Sequence, residues 1–123
     1  MKQSKQEHIR GANRLNETFR KELVQRITRN LLDVQILMLI QAQPSVWGYR
    51  IKKTIETDFH IKLGHGVLYP LLNSLEERRF LVSNKRSEGG RARKVYTITR
   101  EGERYLQTYY AVIRDQLEKS KNY

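Results

Sequence analysis

A run of leucines between residues 66 and 79 constrains the fold of this chain more than any other feature. The leucines follow each other at spacings i, i+3, i+4 and i+7, which place them on one face of an α-helix: Leu68, Leu71, Leu72 and Leu75. Pro70 stands inside the run, and proline is tolerated mainly in the first turn of a helix, where its missing N–H has no partner to lose. We therefore predict a helix over about residues 66–79, beginning near Gly66–Val67 and burying its leucine ridge.

An apolar stripe near the start of the chain predicts a long helical region. Phe19 and Leu23 open a series of apolar residues that recur three or four apart, which indicates a helix over about residues 17–42. Asn30 could act as an internal N-cap, in which case two abutting helices would share this range, with a boundary between residues 29 and 31. Both arrangements remain open from the sequence.

Two more helices are indicated by the same kind of spacing. After an expected loop at residues 44–48, three apolar residues four apart predict a short helix over about residues 48–58. Thr99 can cap a terminal helix over about residues 100–119, with Glu101 in its first turn. This last helix carries an apolar seam of the coiled-coil type, formed by Leu106, Tyr110, Ile113 and Leu117.

Basic residues exceed acidic ones by a wide margin: 24 Lys and Arg stand against 13 Asp and Glu, for a formal net charge of +11. Such an excess points to a polyanionic partner. Residues 1–30 carry +5 of this charge and residues 85–94 carry +4. The second segment lies between two segments rich in Val, Ile, Thr and aromatic residues, 80–84 and 95–99. These segments predict a β-hairpin with a basic tip. The basic residues of the hairpin are Lys85, Arg86, Arg91, Arg93 and Lys94.

The order helix, helix, helix, hairpin, helix predicts a winged helix-turn-helix, a mainly α fold with a small β-hairpin wing. In this fold the second helix of the helix-turn-helix enters the DNA major groove, and the hairpin reaches the flanking backbone or minor groove. We assign residues 1–16 to a basic, flexible N-terminal arm and residues 17–99 to the winged helix-turn-helix domain, with its wing at about 80–99. Residues 100–123 are assigned to a dimerisation helix, which would form the dimer interface together with the first helix.

Four motifs resemble the PadR family of winged-helix transcriptional regulators. Gly48-Tyr49-Arg50-Ile51 is similar to the family's Gly-Tyr-Glu-Ile, and Ile98-Thr99-Arg100-Glu101-Gly102 to its Leu-Thr-x-x-Gly. Gly66-Val67-Leu68-Tyr69-Pro70-Leu71-Leu72 resembles Gly-Thr-Leu-Tyr-Pro-Ala-Leu, in which Leu-Tyr-Pro is the most specific part. Gly90-Arg91-Ala92-Arg93-Lys94-Val95-Tyr96 resembles Gly-Arg-Pro-Arg-Lys-Tyr-Tyr. The resemblance covers about residues 31–110 and leaves the basic N-terminal arm unaccounted for.

The chain departs from the family pattern at three positions. Val67 replaces a hydroxyl residue, Arg50 replaces an acidic residue, and Arg79 stands where the family tends to have glycine after the recognition helix. If Arg79 adopts the left-handed conformation, it costs on the order of 1 kcal/mol. The resemblance implies a homodimer formed through the first and last helices. It also implies a repressor, of a kind that some members release on binding a small aromatic or drug-like effector.

The candidate site residues fall into four groups, with Trp47 as a further candidate for a ligand pocket. The proposed recognition-helix contacts are His65, Val67, Tyr69, Pro70 and Asn73, and the proposed DNA-backbone contacts of the preceding helix are Arg50 and Lys53. The wing contacts are the five basic residues named above. The dimer interface is assigned to Leu106, Tyr110, Ile113, Leu117, Phe19 and Leu23. Alternatives remain for three of these residues: Tyr69 could be a core residue, Asn73 could simply be solvated, and Trp47 could pack in the core or line a ligand pocket at the dimer junction.

The sequence argues against catalysis, metal binding and membrane insertion. There is no cysteine, which removes disulfides, thiolate metal sites and cysteine nucleophiles. The three histidines lack metal-ligand spacing, and no serine has the context of a nucleophile elbow. No apolar segment has the form of a signal peptide or the length of a membrane span. We therefore expect a cytoplasmic, non-enzymatic protein without a cofactor.

These observations favour a homodimeric, sequence-specific regulator that binds double-stranded DNA and represses by occluding a promoter. The alternative is a basic protein that binds RNA without sequence choice or associates with the ribosome. The apolar seam of the last helix favours the first interpretation, because a two-fold dimer matches a palindromic operator. A third interpretation, a winged helix retained only as a protein-interaction scaffold, is disfavoured by the concentrated charge of the wing.

Overall fold

The chain is built from helices that enclose one core and a small sheet that extends from it. A computed structural model describes residues 2–123, apart from the side chains of residues 2–4 and 88. In chain order the elements are α1 (Lys2–Asn30), α2 (Leu32–Ala42), β1 (Val46–Trp47), α3 (Gly48–Phe59), α4 (His65–Glu77), β2 (Leu81–Glu88), β3 (Arg91–Ile98) and α5 (Arg100–Ser120). The predicted fold class, mainly α with a β-hairpin wing, is confirmed.

The leucine ridge of α4 lies at the centre of the core. Leu68, Leu72 and Leu75 are almost completely buried, and Leu71 packs against the edge of the same cluster. The ridge meets α2, which is apolar on nearly every side, and the inner face of α3. Burying each such side chain stabilises the fold by about 1.5–3 kcal/mol relative to leaving it in water. Because this ridge fixes one side of α4 to the core, the opposite side is left facing solvent.

The first helical region consists of two helices, which is one of the two predicted arrangements. Asn30, however, is not the N-cap of the second helix. Leu31 interrupts the helix with φ −124° and ψ 42°. The Asn30 amide does not cap α2; its Nδ2 donates back to the Arg26 carbonyl at 2.8 Å. The predicted boundary after residue 16 has no counterpart in the secondary structure either, because α1 begins at Lys2. Residue 1 of the assigned arm lies outside the described residues.

The start and the end of α4 both differ from the prediction. The helix begins at His65, so Pro70 is its sixth residue and lies in the second turn rather than the first. Pro70 therefore has no N–H to offer the Gly66 carbonyl one turn earlier. The helix ends at Glu77, two residues before the predicted end. Arg79, which stands where the family tends to have glycine, adopts a left-handed φ of 62°. This turn is held by the Phe80 N–H, which donates to the Leu75 carbonyl at 2.9 Å.

The sheet has three antiparallel strands in the order β1-β3-β2. The β2–β3 hairpin runs in register from Leu81 opposite Ile98 to Glu88 opposite Arg91. Its two-residue turn consists of Gly89 and Gly90 with φ of 56° and 80°, the left-handed values that a type I′ turn requires. The wing strands are longer than predicted, so the basic residues lie along the strands and not only at the tip.

Strand β1 was assigned to a loop from the sequence, and that assignment is wrong for its two residues. Val46 pairs with Tyr96 and Trp47 with Val95. A two-residue strand is too short to show the alternation by which strands are recognised, and only pairing with β3 creates it. As a consequence β1 covers residues 95–96 of β3 and leaves residues 91–94 as an open edge.

Helix α5 begins as predicted, with a Thr99 cap. The Gly102 N–H donates to the Thr99 hydroxyl at 3.0 Å, and that hydroxyl donates to the Arg79 carbonyl at 2.6 Å. The first turns of α5 close the core, and Leu106 is fully buried there. The assignment of Leu106 to a partner-facing seam is therefore wrong, because α5 uses this residue to pack on its own chain.

Candidate nucleic-acid interface

The surface of α4 outside the leucine ridge carries all five predicted recognition residues, and all five are exposed: His65, Val67, Tyr69, Pro70 and Asn73. The His65 and Tyr69 rings lie nearly parallel, with centroids 6.3 Å apart. The interpretation of Tyr69 as a core residue does not hold, since 41% of it remains exposed. The structure thus presents one open helix face that mixes polar, aromatic and apolar groups.

A groove of about 610 Å³ separates α4 from the wing. It lies where β1 stops short, so that the open edge of β3 faces the start of α3 and the middle of α4. The groove is lined by Trp47, Gly48, Tyr49, Tyr69, Asn73, Arg91, Ala92, Arg93, Lys94 and Tyr96. Three of these residues are basic and none is acidic. The groove is therefore an electropositive cleft with aromatic walls.

Glycine at position 48 leaves room for the Tyr69 ring, which packs closely against it. A Cβ built on Gly48 would lie 3.0 Å from Cε1 and 3.3 Å from the hydroxyl of Tyr69. Tyr69 therefore packs its ring against the start of α3, while its outer part stays in solvent. This contact gives a physical reason for the glycine of the Gly48-Tyr49 motif, and it fixes the position of α3 relative to α4.

The floor of the groove holds a neutral hydroxyl. Burial, followed by the negative charge of Glu76 and the neighbouring Tyr69, raises the pKa of Tyr96 above its usual value. Glu76 sits behind the groove, where it accepts a hydrogen bond from the Ser83 hydroxyl at 2.9 Å and lies 4.0 Å from the Lys94 ammonium. Neither Tyr96 nor Glu76 was singled out from the sequence, since only the tertiary fold brings them to the groove.

The basic wing residues are distributed over both faces of the hairpin. Lys85 lies directly opposite Lys94, and Arg86 lies opposite Arg93 on the other face. All except Arg93 are exposed. The Arg93 guanidinium packs over the Trp47 ring, 3.5 Å from its centroid. The structure therefore brings the wing cations to the side of the groove that faces α4 and also to the far side of the sheet.

Trp47 and the two cations of α3 complete this region. Trp47 is half-buried under Arg93, in a cavity that is lined by α3, α4 and the wing and not by α1 or α5. Arg50 and Lys53 are exposed on α3, and Lys53 lies 5.6 Å from the centroid of the Tyr49 ring. Tyr49 was missed from the sequence, although the Gly48-Tyr49 motif marked its position.

The predicted dimer residues other than Leu106 lie on two surfaces of the chain. Phe19 and Leu23 are about half exposed on α1, at 54% and 51%. On α5, Ile113 and Leu117 are 36% and 61% exposed, while Tyr110 packs against the edge of the core. Two long helices thus each leave an apolar stripe without cover from the described part of their own chain.

Metal binding and membrane insertion find no support in the described part of the chain. Its residues contain no group of three or more His, Asp or Glu side chains that could hold a metal ion. None of the described helices is both long enough and apolar enough to cross a membrane.

The geometry defines the class of the protein. Helices α2, α3 and α4 form a three-helix core, α3 and α4 make the helix-turn-helix, and the β2–β3 hairpin is the wing, so the fold is a winged helix-turn-helix. The sequence matches the PadR-like family of transcriptional regulators over residues 36–108. The chain belongs to this family. No curated protein matches the chain.

Solved structures of the family share the fold. A PadR-like transcription factor from Bacteroides fragilis is 22% identical, with a TM-score of 0.67 over 89% of this chain and 97% of that one. A PadR family transcriptional regulator from Eggerthella lenta is 27% identical, with a TM-score of 0.62 over 85% and 94% of the two chains. A PadR-like regulator from Bacillus cereus is 22% identical, with a TM-score of 0.66 over 79% and 94%.

Proposed function

We propose that the protein is a homodimeric repressor that binds double-stranded DNA at a palindromic operator and acts by occluding a promoter. The observation that carries this proposal is the exposed face of α4 beside an electropositive groove, whose lining includes three cations and no carboxylate. Duplex DNA presents a regular array of phosphates next to a major groove about 12 Å wide, which admits an α-helix.

In this proposal α4 reads bases and the wing holds the backbone. Helix α4 carries Val67 and Tyr69 in its N-terminal half and Asn73 just beyond its middle, all three exposed. An Asn side chain can pair with N6 and N7 of adenine, while Val67 and Tyr69 offer apolar contact to thymine methyl groups. Arg91 and Lys94, on the wing side of the groove, supply phosphate contacts that position the helix without specifying sequence.

The proposed dimer follows from the two uncovered stripes. A solvated apolar stripe along a helix is unfavourable, and the stripes of α1 and α5 on one copy can cover those of a second copy. A two-fold axis would then place two α4 helices on one side of the assembly. This arrangement matches a palindrome whose half-sites are about one helical turn, or a multiple of one, apart.

The test of the wing is a change in the salt dependence of binding. Replacing Arg91 and Arg93 with alanine should weaken binding to all duplexes alike. It should also lower the magnitude of the slope of log K against log salt by about 0.9 for each phosphate that the variant no longer neutralises. Fluorescence anisotropy with the protein's own upstream region and with random duplex, at several salt concentrations, measures both effects.

The control for the wing variant is Lys119→Ala, which removes an exposed charge near the end of α5 and should leave the slope as it is. An unchanged slope in the double variant would show that Arg91 and Arg93 do not contact DNA phosphates. Equal binding of single-stranded RNA by the wild type would favour the RNA-binding alternative.

The test of the recognition helix compares two DNAs. Asn73→Ala should cost operator affinity about 1–3 kcal/mol more than it costs affinity for random duplex, because only the operator offers the base edge that it reads. Tyr69→Ala should act in the same direction, with Tyr69→Phe separating loss of the hydroxyl from loss of packing on Gly48. Ser74→Ala, at the next exposed position of α4, is the matched control. Equal reductions on both DNAs would show that these residues position the helix and read no sequence.

A further inference from the structure

Three arginines from three different elements converge on the face of the sheet that points away from α4. Arg50 comes from the first turn of α3, Arg86 from β2 and Arg93 from β3. Together with Ser45, Trp47 and Val95 they line a separate cavity of about 230 Å³. This triple-arginine cavity adjoins the groove beside α4, because Trp47 and Arg93 line both, but Arg50 and Arg86 line the cavity only.

Packing contacts hold two of the arginines in place. The Arg93 guanidinium lies 3.5 Å from the centroid of the Trp47 ring, and Arg86 Nη2 donates to the Ser45 hydroxyl at 3.4 Å. Both contacts leave several of the five guanidinium N–H donors of each arginine available. The cavity wall is thus an array of oriented donors next to an aromatic ring.

Among the described side chains, the positive charges of this cavity are not balanced by an anionic group. Arg86 and Arg93 are directly opposed across the strands, where like charges destabilise a sheet. Arg50 places a positive charge at the N-terminal end of α3, where the helix dipole is already positive. Among the described side chains, no carboxylate oxygen lies within 4.0 Å of any of the three. By contrast Lys94, on the other face, has Glu76 beside it at that distance.

We propose that the triple-arginine cavity binds a single phosphate group, which Arg50, Arg86 and Arg93 hold jointly. A tetrahedral phosphate presents several acceptor oxygens and a negative charge, which matches convergent guanidinium donors and relieves both repulsions at once. Like charges opposed across a sheet, and a cation at a helix N-terminus, are unfavourable arrangements that are typical of functional sites. The phosphate comes from the DNA backbone; this part of the inference rests on the proposed function, whereas the phosphate site itself does not.

The first experiment detects the phosphate directly. Trp47 is the only tryptophan of the chain and lines both this cavity and the groove beside α4. Arg50 and Arg86 line this cavity and not the groove, so variants of these two arginines show which of the two sites a fluorescence change reports. Inorganic phosphate is titrated against sodium chloride at constant ionic strength, and a saturable change specific to phosphate is expected for the wild type. Arg86→Gln and Arg50→Gln should each weaken the apparent affinity about tenfold or more, because each removes a charged hydrogen bond. Arg93→Gln is left out of this assay, since it changes the surroundings of Trp47 itself.

The matched control is Lys85→Gln, which removes one charge from the opposite face of the same hairpin and should leave the titration unchanged. An equal response to chloride, or an unaltered phosphate response in both arginine variants, overturns the site. Thermal melts verify that the variants fold. Their melting temperatures should stay level or rise, since each removes one member of a repelling cluster.

The second experiment identifies the source of the phosphate and tests convergence. If the three arginines share one DNA phosphate, the triple variant Arg50→Gln, Arg86→Gln, Arg93→Gln should lower the magnitude of the salt slope by about 0.9. A fall of about 2.7 would mean three separate phosphates and would overturn the shared site. An unchanged slope together with a positive phosphate titration would assign the site to a free phosphate-bearing ligand. If the wild type binds no duplex, the proposed function is wrong. The fluorescence titration would still show whether the cavity binds phosphate.

Discussion

Replacing Ile113 with aspartate should convert the protein from dimers into monomers and abolish high-affinity operator binding, with its helix content preserved. Ile113 lies in the uncovered stripe of α5, one turn from Leu117, and is not itself one of the buried core residues. A carboxylate placed in a closed interface would cost several kcal/mol. Monomers also lose the gain in affinity that comes from engaging two half-sites at once. Analytical ultracentrifugation, circular dichroism and a DNA-binding titration measure the three effects.

The matched control for this variant is Thr108→Asp. Thr108 is exposed, and five residues along an α-helix place it on a different side of α5 from Ile113. This variant should remain dimeric and bind DNA with little change. A wild-type species near 14.7 kDa at micromolar concentration would contradict the proposed dimer. It would also contradict a palindromic operator, which rests on that dimer. Tight operator binding by a monomeric Ile113→Asp variant would separate DNA recognition from dimerisation.

Replacing Gly102 with alanine should lower the free energy of unfolding by about 3 kcal/mol, which corresponds to a fall in melting temperature of roughly 10 °C. A Cβ at this position would overlap the Phe80 carbonyl oxygen and would lie 2.7 Å from Cγ1 of Ile98. Moving the Phe80 carbonyl away would weaken the hydrogen bond that it accepts from the Thr99 N–H at 3.0 Å. Chemical and thermal denaturation at one fixed protein concentration measure the destabilisation.

Gly11→Ala is the control for Gly102→Ala. A Cβ at Gly11 meets no atom of the described residues within 4 Å, and alanine is the better helix former by about 1 kcal/mol. Its stability should therefore stay level or rise. If Gly102→Ala is as stable as the wild type, the close approach of α5 to the strand before it does not constrain the fold.

The parts of the fold that were predictable from sequence are those with a long local period. The leucines of α4 specify both its helical character and its buried side, and they favour exposed positions for Tyr69 and Asn73; the structure was needed to exclude Tyr69 from the core. The cap at Thr99 was equally local, since the hydroxyl and the Gly102 N–H lie three residues apart. The predicted start of α4 was too late because it relied on placing Pro70 in the first turn. That rule is a tendency, and the packing of the leucines outweighed it.

The parts that could not be predicted depend on contacts distant in sequence. Leu106 has the same spacing as Ile113 and Leu117, and only the packing of α5 on α2 determines which of them is buried within the chain. The two residues of β1 acquire their strand character from β3 alone. The groove and the triple-arginine cavity arise in the same way, since each collects residues from separate elements. DNA contact by the predicted site residues remains a prediction.

The short reach of β1 has a consequence for the motions of the wing. Strand pairing with β1 ends at residue 95, so the outer part of the hairpin, residues 85–94, is a two-stranded ribbon with no third strand beside it. A ribbon of this kind is marginally stable in water, and its backbone hydrogen bonds open more often than those of the inner part. Amide hydrogen exchange should accordingly be fast beyond Lys85 and slow near Leu81 and Ile98. In the proposed DNA complex, a wing that is flexible only in its outer half would adapt to minor grooves of different width, while its inner half would stay fixed beside α4.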